Sequence, residues 1–157
     1  MGVRTPLSSM RLRRQKPSHS FGMVRKHDDG SPKAHQGWDL TAPVGTPVFA
    51  VADGEVIAAT SDTGDYGKSL TIAFLHGGQW YFAFYAHLSA VSCKVGDAVY
   101  KGQQVGLTGN TGNASNLSSA EHHLHFEIRT SWETTTGLSG RVDPGELLGY
   151  DVYSSRP

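Results

Sequence analysis

The chain has 157 residues with 14 basic and 14 acidic side chains, so its formal net charge is zero with histidine neutral. That length suits one domain with its own core, and the charge balance argues against a nucleic-acid tail. No run is long and apolar enough to span a membrane, and the single cysteine, Cys93, rules out an internal disulfide framework.

In chain order, residues 1–20 carry Arg4, Arg11, Arg13, Arg14 and Lys16 among Ser and Pro. This composition predicts a flexible basic arm without the apolar centre of a secretory signal. His19 and His27 lie in polar sequence and are expected to be solvated. Residues 21–157 are expected to form one all-β domain. Runs at 47–51 and 55–58 flank Asp53-Gly54, and runs at 69–75 and 80–85 flank His76-Gly77-Gly78, which predicts two hairpins. Short strands around 98–100, 104–105 and 123–129 complete the pattern, and no segment sustains a helical period. Nineteen glycines fit many tight turns. Turn chemistry accounts for Asp53, Asp97 and His76, while Cys93 reads as an ordinary strand-edge residue.

Chemistry concentrates in His35-Gln36-Gly37-Trp38-Asp39, in His123-Leu124-His125, and in His87 of Tyr85-Ala86-His87-Leu88. Hydrolytic zinc is usually held by three His or carboxylate ligands with a fourth position open. In a straight strand His35 and Asp39 would lie about 13 Å apart, far beyond the ~2 Å reach of one metal, so the segment must bend, and Gly37 is the natural bend. In residues 123–129 the apolar Leu124, Phe126 and Ile128 alternate with polar neighbours. Period two places His123, His125, Glu127 and Arg129 on one strand face and His122 on the other. Glu127 is expected to be a hydrogen-bond partner of a site histidine rather than a ligand.

These fragments, together with Pro43-Val-Gly-Thr-Pro47, Asp53-Gly54, Gly96-Asp97, Gly102-Gln103 and Gly109-Asn-Thr-Gly112, resemble the lysostaphin-like, or LytM-type, zinc metallo-endopeptidases that cut peptidoglycan cross-links. The resemblance runs from about residue 21 to residue 144. It implies a small antiparallel β-sheet domain of the duplicated hybrid motif type, with an active-site groove walled by loops. It further implies one Zn2+ per chain held by His35, Asp39 and His125, with His87 and His123 as an unligated catalytic pair. No HExxH motif is present, so histidine should replace the glutamate base of thermolysin-like enzymes, and either His87 or His123 would fill that place. Acid pH should weaken metal binding and activity together. The chain departs from the family in a longer stretch at 113–122, in His122 where Pro is common, and in lacking a tyrosine near 23–27. Arg25 or the catalytic histidines would then stabilise the oxyanion.

The resemblance makes peptidoglycan stem peptides the partner, with D-Ala–diaminopimelate D,D-cross-links favoured over glycyl-glycine bridges. The loops near 61–68 and 113–121 would shape the groove. Action is expected in the periplasm or the extracellular wall, by a single domain acting as a monomer. Without a standard signal, delivery as an antibacterial effector, for example by a type VI apparatus with an immunity protein in the producer, would reconcile substrate and route. Two other classes compete with this reading. A non-catalytic regulator of cell-wall amidases would have lost site positions, whereas all five are filled. A lipoyl- or biotinyl-like carrier, suggested by residues 95–106, lacks the Met-Lys-like signal.

Overall fold

The computed structural model describes residues 2–131 and 137–150. Along them run β1 (Gly22–Lys26), β2 (Pro32–His35), β3 (Trp38–Thr41), β4 (Pro47–Phe49), β5 (Gly54–Thr63), β6 (Gly67–His76), β7 (Gln79–Val91), β8 (Ala98–Val99), β9 (Gln104–Thr108), β10 (His123–Arg129), β11 (Arg141–Val142) and the helix α1 (Pro144–Leu148). β1 and β2 form a separate hairpin, and the other nine strands join one sheet. Its main path is β11-β10-β7-β6-β5-β8, with β3 added to β10 and β9 paired to both β7 and β4. Every pairing is antiparallel.

β10 shows how the alternation becomes structure. Leu124, Phe126 and Ile128 are fully buried among Trp38, Leu40, Tyr85 and Leu88. The opposite face carries His123, His125, Glu127 and Arg129, which are buried too, because the strand lies between β3 and β7 and beneath the cleft. Burial of both faces therefore coexists with a strict division into apolar and polar sides.

Three sequence expectations change. Residues 47–51 and 55–58 do not pair as a hairpin: β4 joins β9, and β5 joins β6 and β8. Val48, Ala50, Val51 and Ala52 are buried, so this segment goes into the core rather than folding back on its neighbour. α1 was not visible as a period because it spans only five residues. Its ends are nonetheless well marked, by the Asp143 side chain accepting from Gly145 N at 2.9 Å and by Gly149 in the left-handed conformation.

The third change concerns the basic stretch expected to be a flexible arm. Its described part, residues 2–20, lies against the sheet. Leu7, Met10 and Leu12 are buried in the main core, and backbone bonds run from Arg4 N to Val51 O, Phe49 N to Pro6 O and Thr41 N to Arg11 O at 2.8–2.9 Å. Leu12 bridges to Leu40 of β3. The average composition hides three well-placed apolar side chains. Truncating Leu12 to Ala should cost about 2–5 kcal/mol, as for other buried leucines, read as a shift in the urea unfolding midpoint; an arm free in solution would give no shift.

Candidate metal centre and catalytic cleft

The β3–β10 ladder sets His125 directly opposite Asp39. The third residue, His35, ends β2, and the chain turns at Gln36-Gly37 into β3. Gly37 is required by space: a Cβ there would sit 2.2 Å from the Phe126 carbonyl oxygen. The bend read from the sequence is thus a close backbone approach to β10. It brings His35 Nε2 to 3.2 Å and His125 Nδ1 to 2.8 Å from the same oxygen, Asp39 Oδ1. His35, Asp39 and His125 each offer one donor atom within 4.8 Å of the others, and all three residues are buried.

Proton positions follow from the outer partners. His35 Nδ1 lies 2.8 Å from the Ser20 carbonyl, which can only accept, so Nδ1 carries the proton and Nε2 offers a lone pair. His125 Nε2 lies 2.7 Å from Glu127 Oε2, which leaves Nδ1 for the site. Glu127 is the outer partner expected from its strand position. It is held in turn by Arg129 Nε and Arg141 Nε, both 2.8 Å from Oε1, and by the Tyr66 hydroxyl. Two imidazole nitrogens therefore converge on one carboxylate oxygen in a buried space, an arrangement that a divalent cation fits when it displaces the proton shared there.

The two remaining histidines are built the same way. His87 Nδ1 meets the Thr111 carbonyl at 2.8 Å and His123 Nδ1 meets the Glu121 carbonyl at 2.9 Å, so each keeps Nε2 free. Their rings are 5.0 Å apart. His87 has φ 61, an unusual conformation for a residue with a side chain and one that concentrates at functional sites. Its carbonyl partner is placed by Gly112, whose Cβ would fall 2.3 Å from the Asp65 carbonyl. His122 is not among the residues lining the cleft.

Without a metal, protons hold this cluster together. Burial alone would raise the Asp39 carboxyl, but hydrogen bonds with His125, His19 and His35 hold it well below the usual range. Glu127 is likewise lowered despite burial, chiefly by His125. Burial opposes the charged form of His125, yet its two carboxylate neighbours push it up to about 9. His87 is pushed down to about 4 by burial and by His123, and His123 is lowered by burial.

Several supporting residues were not legible in the sequence. His19, expected to be solvated, places Nδ1 3.2 Å from Asp39 Oδ2, and Arg25 Nη2 donates to the same oxygen at 2.9 Å. Arg13 and Arg14 both pair with Glu121. No local signal marks residues that lie 14 and 20 positions from their partner. The site opens into a cleft of about 760 Å³, where Asp65, Tyr66 and Leu117 come from the two loops expected to shape it.

Residues 33–147 match Peptidase family M23. The chain is 34% identical over 129 residues to the peptidoglycan DD-endopeptidase ShyC of Vibrio cholerae, covering 80% of this chain and 26% of that protein. It is 37% identical over 119 residues to the DD-carboxypeptidase/endopeptidase Mpg of Neisseria gonorrhoeae, covering 76% and 25%. It thus spans about a quarter of the length of these curated relatives. Among solved structures it is similar to a zinc-containing peptidase from Vibrio cholerae, with TM-score 0.68 and 28% identity over 97% of this chain and 41% of that one. It is also similar to the catalytic domain of lysostaphin from Staphylococcus simulans, with TM-score 0.62 and 30% identity over 83% and 90%. With the family match running from β2 into α1, the chain belongs to peptidase family M23 and has a lysostaphin-like fold.

Proposed function

We propose that this protein is a zinc-dependent peptidoglycan endopeptidase that hydrolyses D-Ala–diaminopimelate cross-links, with His35, Asp39 and His125 as the ligands of one zinc and His87 and His123 as the catalytic pair. The observation that carries this reading is the convergence of two imidazole nitrogens on one buried carboxylate oxygen, each imidazole fixed by an outer partner. Zinc bound there supplies a Lewis acid for the scissile carbonyl and lowers the pKa of water to about 7. The protein's own residues do the rest. His87 and His123 both line the cleft with Nε2 unprotonated. One takes the proton of the attacking water and delivers it to the leaving amine. The other, when protonated, donates to the developing oxyanion. Arg25, considered from the sequence as an oxyanion donor, is instead engaged with Asp39, so it orients the carboxylate. The relatives named as DD-endopeptidases support the choice of cross-link, and such a substrate would put the place of action in the periplasm or the wall.

Incubation of zinc-loaded protein with purified muropeptides tests the proposal. D-Ala–diaminopimelate dimers should become monomers with uptake of one water, read by mass. A chelator should abolish the conversion, and His87→Ala should slow it about 10²–10⁴-fold with zinc retained. Cleavage of pentaglycine bridges alone would preserve the mechanism and overturn the substrate, whereas cleavage of neither would overturn the enzyme reading in favour of a regulator.

The buried His87 also gives a stability prediction. Between pH 6.5 and about 4 the unfolded chain takes up a proton on this residue that the folded chain refuses. Its contribution is therefore fully present above pH 6.5 and lost as pH falls through that window, by about 3 kcal/mol. In chelator-treated protein the urea midpoint should drop between pH 7 and pH 4.5, and less steeply in His87→Gln. Parallel curves would contradict the assignment.

A further inference from the structure

Cationic side chains are prominent in the cleft: besides Arg13 and Arg141, a group of them comes from one hairpin. The β1–β2 hairpin forms one wall, and its Arg25, His27 and Lys33 all line the cavity. Arg25 and Lys33 stand directly opposite each other across the hairpin. Two like charges facing each other on a strand pair are destabilising unless something lies between them. Lys33 is also two residues before His35 on β2, so the two side chains leave the strand on the same side, about 7 Å apart at the backbone. Arg25 is partly committed, through Nη2 to Asp39 and Nε to the Ser18 carbonyl. Lys33 is exposed and has no hydrogen-bond or ion-pair partner among the described residues. Asp65, which also lines the cavity, belongs to the turn between β5 and β6.

Resting on the D,D-cross-link reading above, we propose that this hairpin wall is a carboxylate subsite, in which Lys33 with Arg25 holds the free carboxylate borne on the carbon attached to the scissile nitrogen. In a D-Ala–diaminopimelate cross-link the leaving amine sits on a carbon that also bears an unblocked carboxylate. In a glycine bridge the corresponding carboxyl is consumed in the next amide. A cation one strand position-pair away from a metal ligand therefore senses the difference between the two chemistries, and Lys33 is a specificity residue.

The test uses the zinc-loaded protein and a ligand that need not be turned over: the stem tripeptide ending in diaminopimelate, against the same peptide with the carboxyl next to its free distal amine converted to an amide. Titration calorimetry of the wild type should show the amide binding about fivefold to tenfold more weakly. Lys33→Gln and Lys33→Glu should bind the acid at least that much more weakly and should no longer distinguish acid from amide. Because Lys33 is exposed, both variants should keep the wild-type melting temperature and zinc content. Equal binding of acid and amide by the wild type, undiminished discrimination in Lys33→Glu, or no binding of either peptide would overturn the subsite. Dimer cleavage in the same preparation tests the reaction separately. Cleavage without carboxylate discrimination removes the subsite and leaves the reaction, whereas discrimination without cleavage removes the reaction and leaves an anion site.

Discussion

The site depends on one register. β10 pairs with β3 so that His125 faces Asp39, and with β7 so that His125 faces Ala86, next to His87 in sequence. A slip of one residue would turn every side chain of β10 to the other face. His123, His125 and Glu127 would enter the core, and Leu124, Phe126 and Ile128 would enter the cleft. The full burial of those three apolar side chains therefore fixes the register and, with it, the position of the donor atoms. The same apolar contacts that hold the sheet together hold these donor atoms in place.

Register alone would leave each imidazole free to rotate and to change tautomer. The backbone removes that freedom: carbonyls of Ser20, Thr111 and Glu121 each accept from one Nδ1, and Glu127 accepts from His125 Nε2. These bonds cost little to reorganise during reaction because they already exist, which is the physical content of preorganisation. Glu127 can stay ionised under full burial because Arg129 and Arg141 converge on its other oxygen. Asp39 has the same arrangement, with Oδ1 toward the imidazoles and Oδ2 toward Arg25 and His19. Among the described residues no buried side-chain nitrogen or oxygen lacks a partner.

What the sequence made legible follows from range. The alternation at 123–129 is a period-two signal, and the structure keeps its faces. The need for a bend between His35 and Asp39 follows from strand geometry, and Gly37 supplies it through contact with β10. Pairings across the whole fold were not legible: β4 finds β9 more than 50 residues later, whereas a local turn signal at Asp53-Gly54 pointed to a nearer partner. The tautomers were hidden for the same reason, since His35 and His87 take their carbonyl partners 15 and 24 residues away. The first 20 residues misled through averaging, because a basic composition conceals Leu7, Met10 and Leu12 in the core and His19 at Asp39.

On the proposed reading two imidazoles and one carboxylate, and no other side chains, hold one zinc. X-ray absorption at the zinc edge of the metal-loaded protein tests that ligand set. The expected result is one zinc per chain, a first shell of nitrogen and oxygen only at about 2.0–2.2 Å, and outer-shell scattering from two imidazoles that falls to one in His125→Ala. A sulfur shell, scattering from three or more imidazoles, or zinc bound equally well after His125→Ala would contradict it.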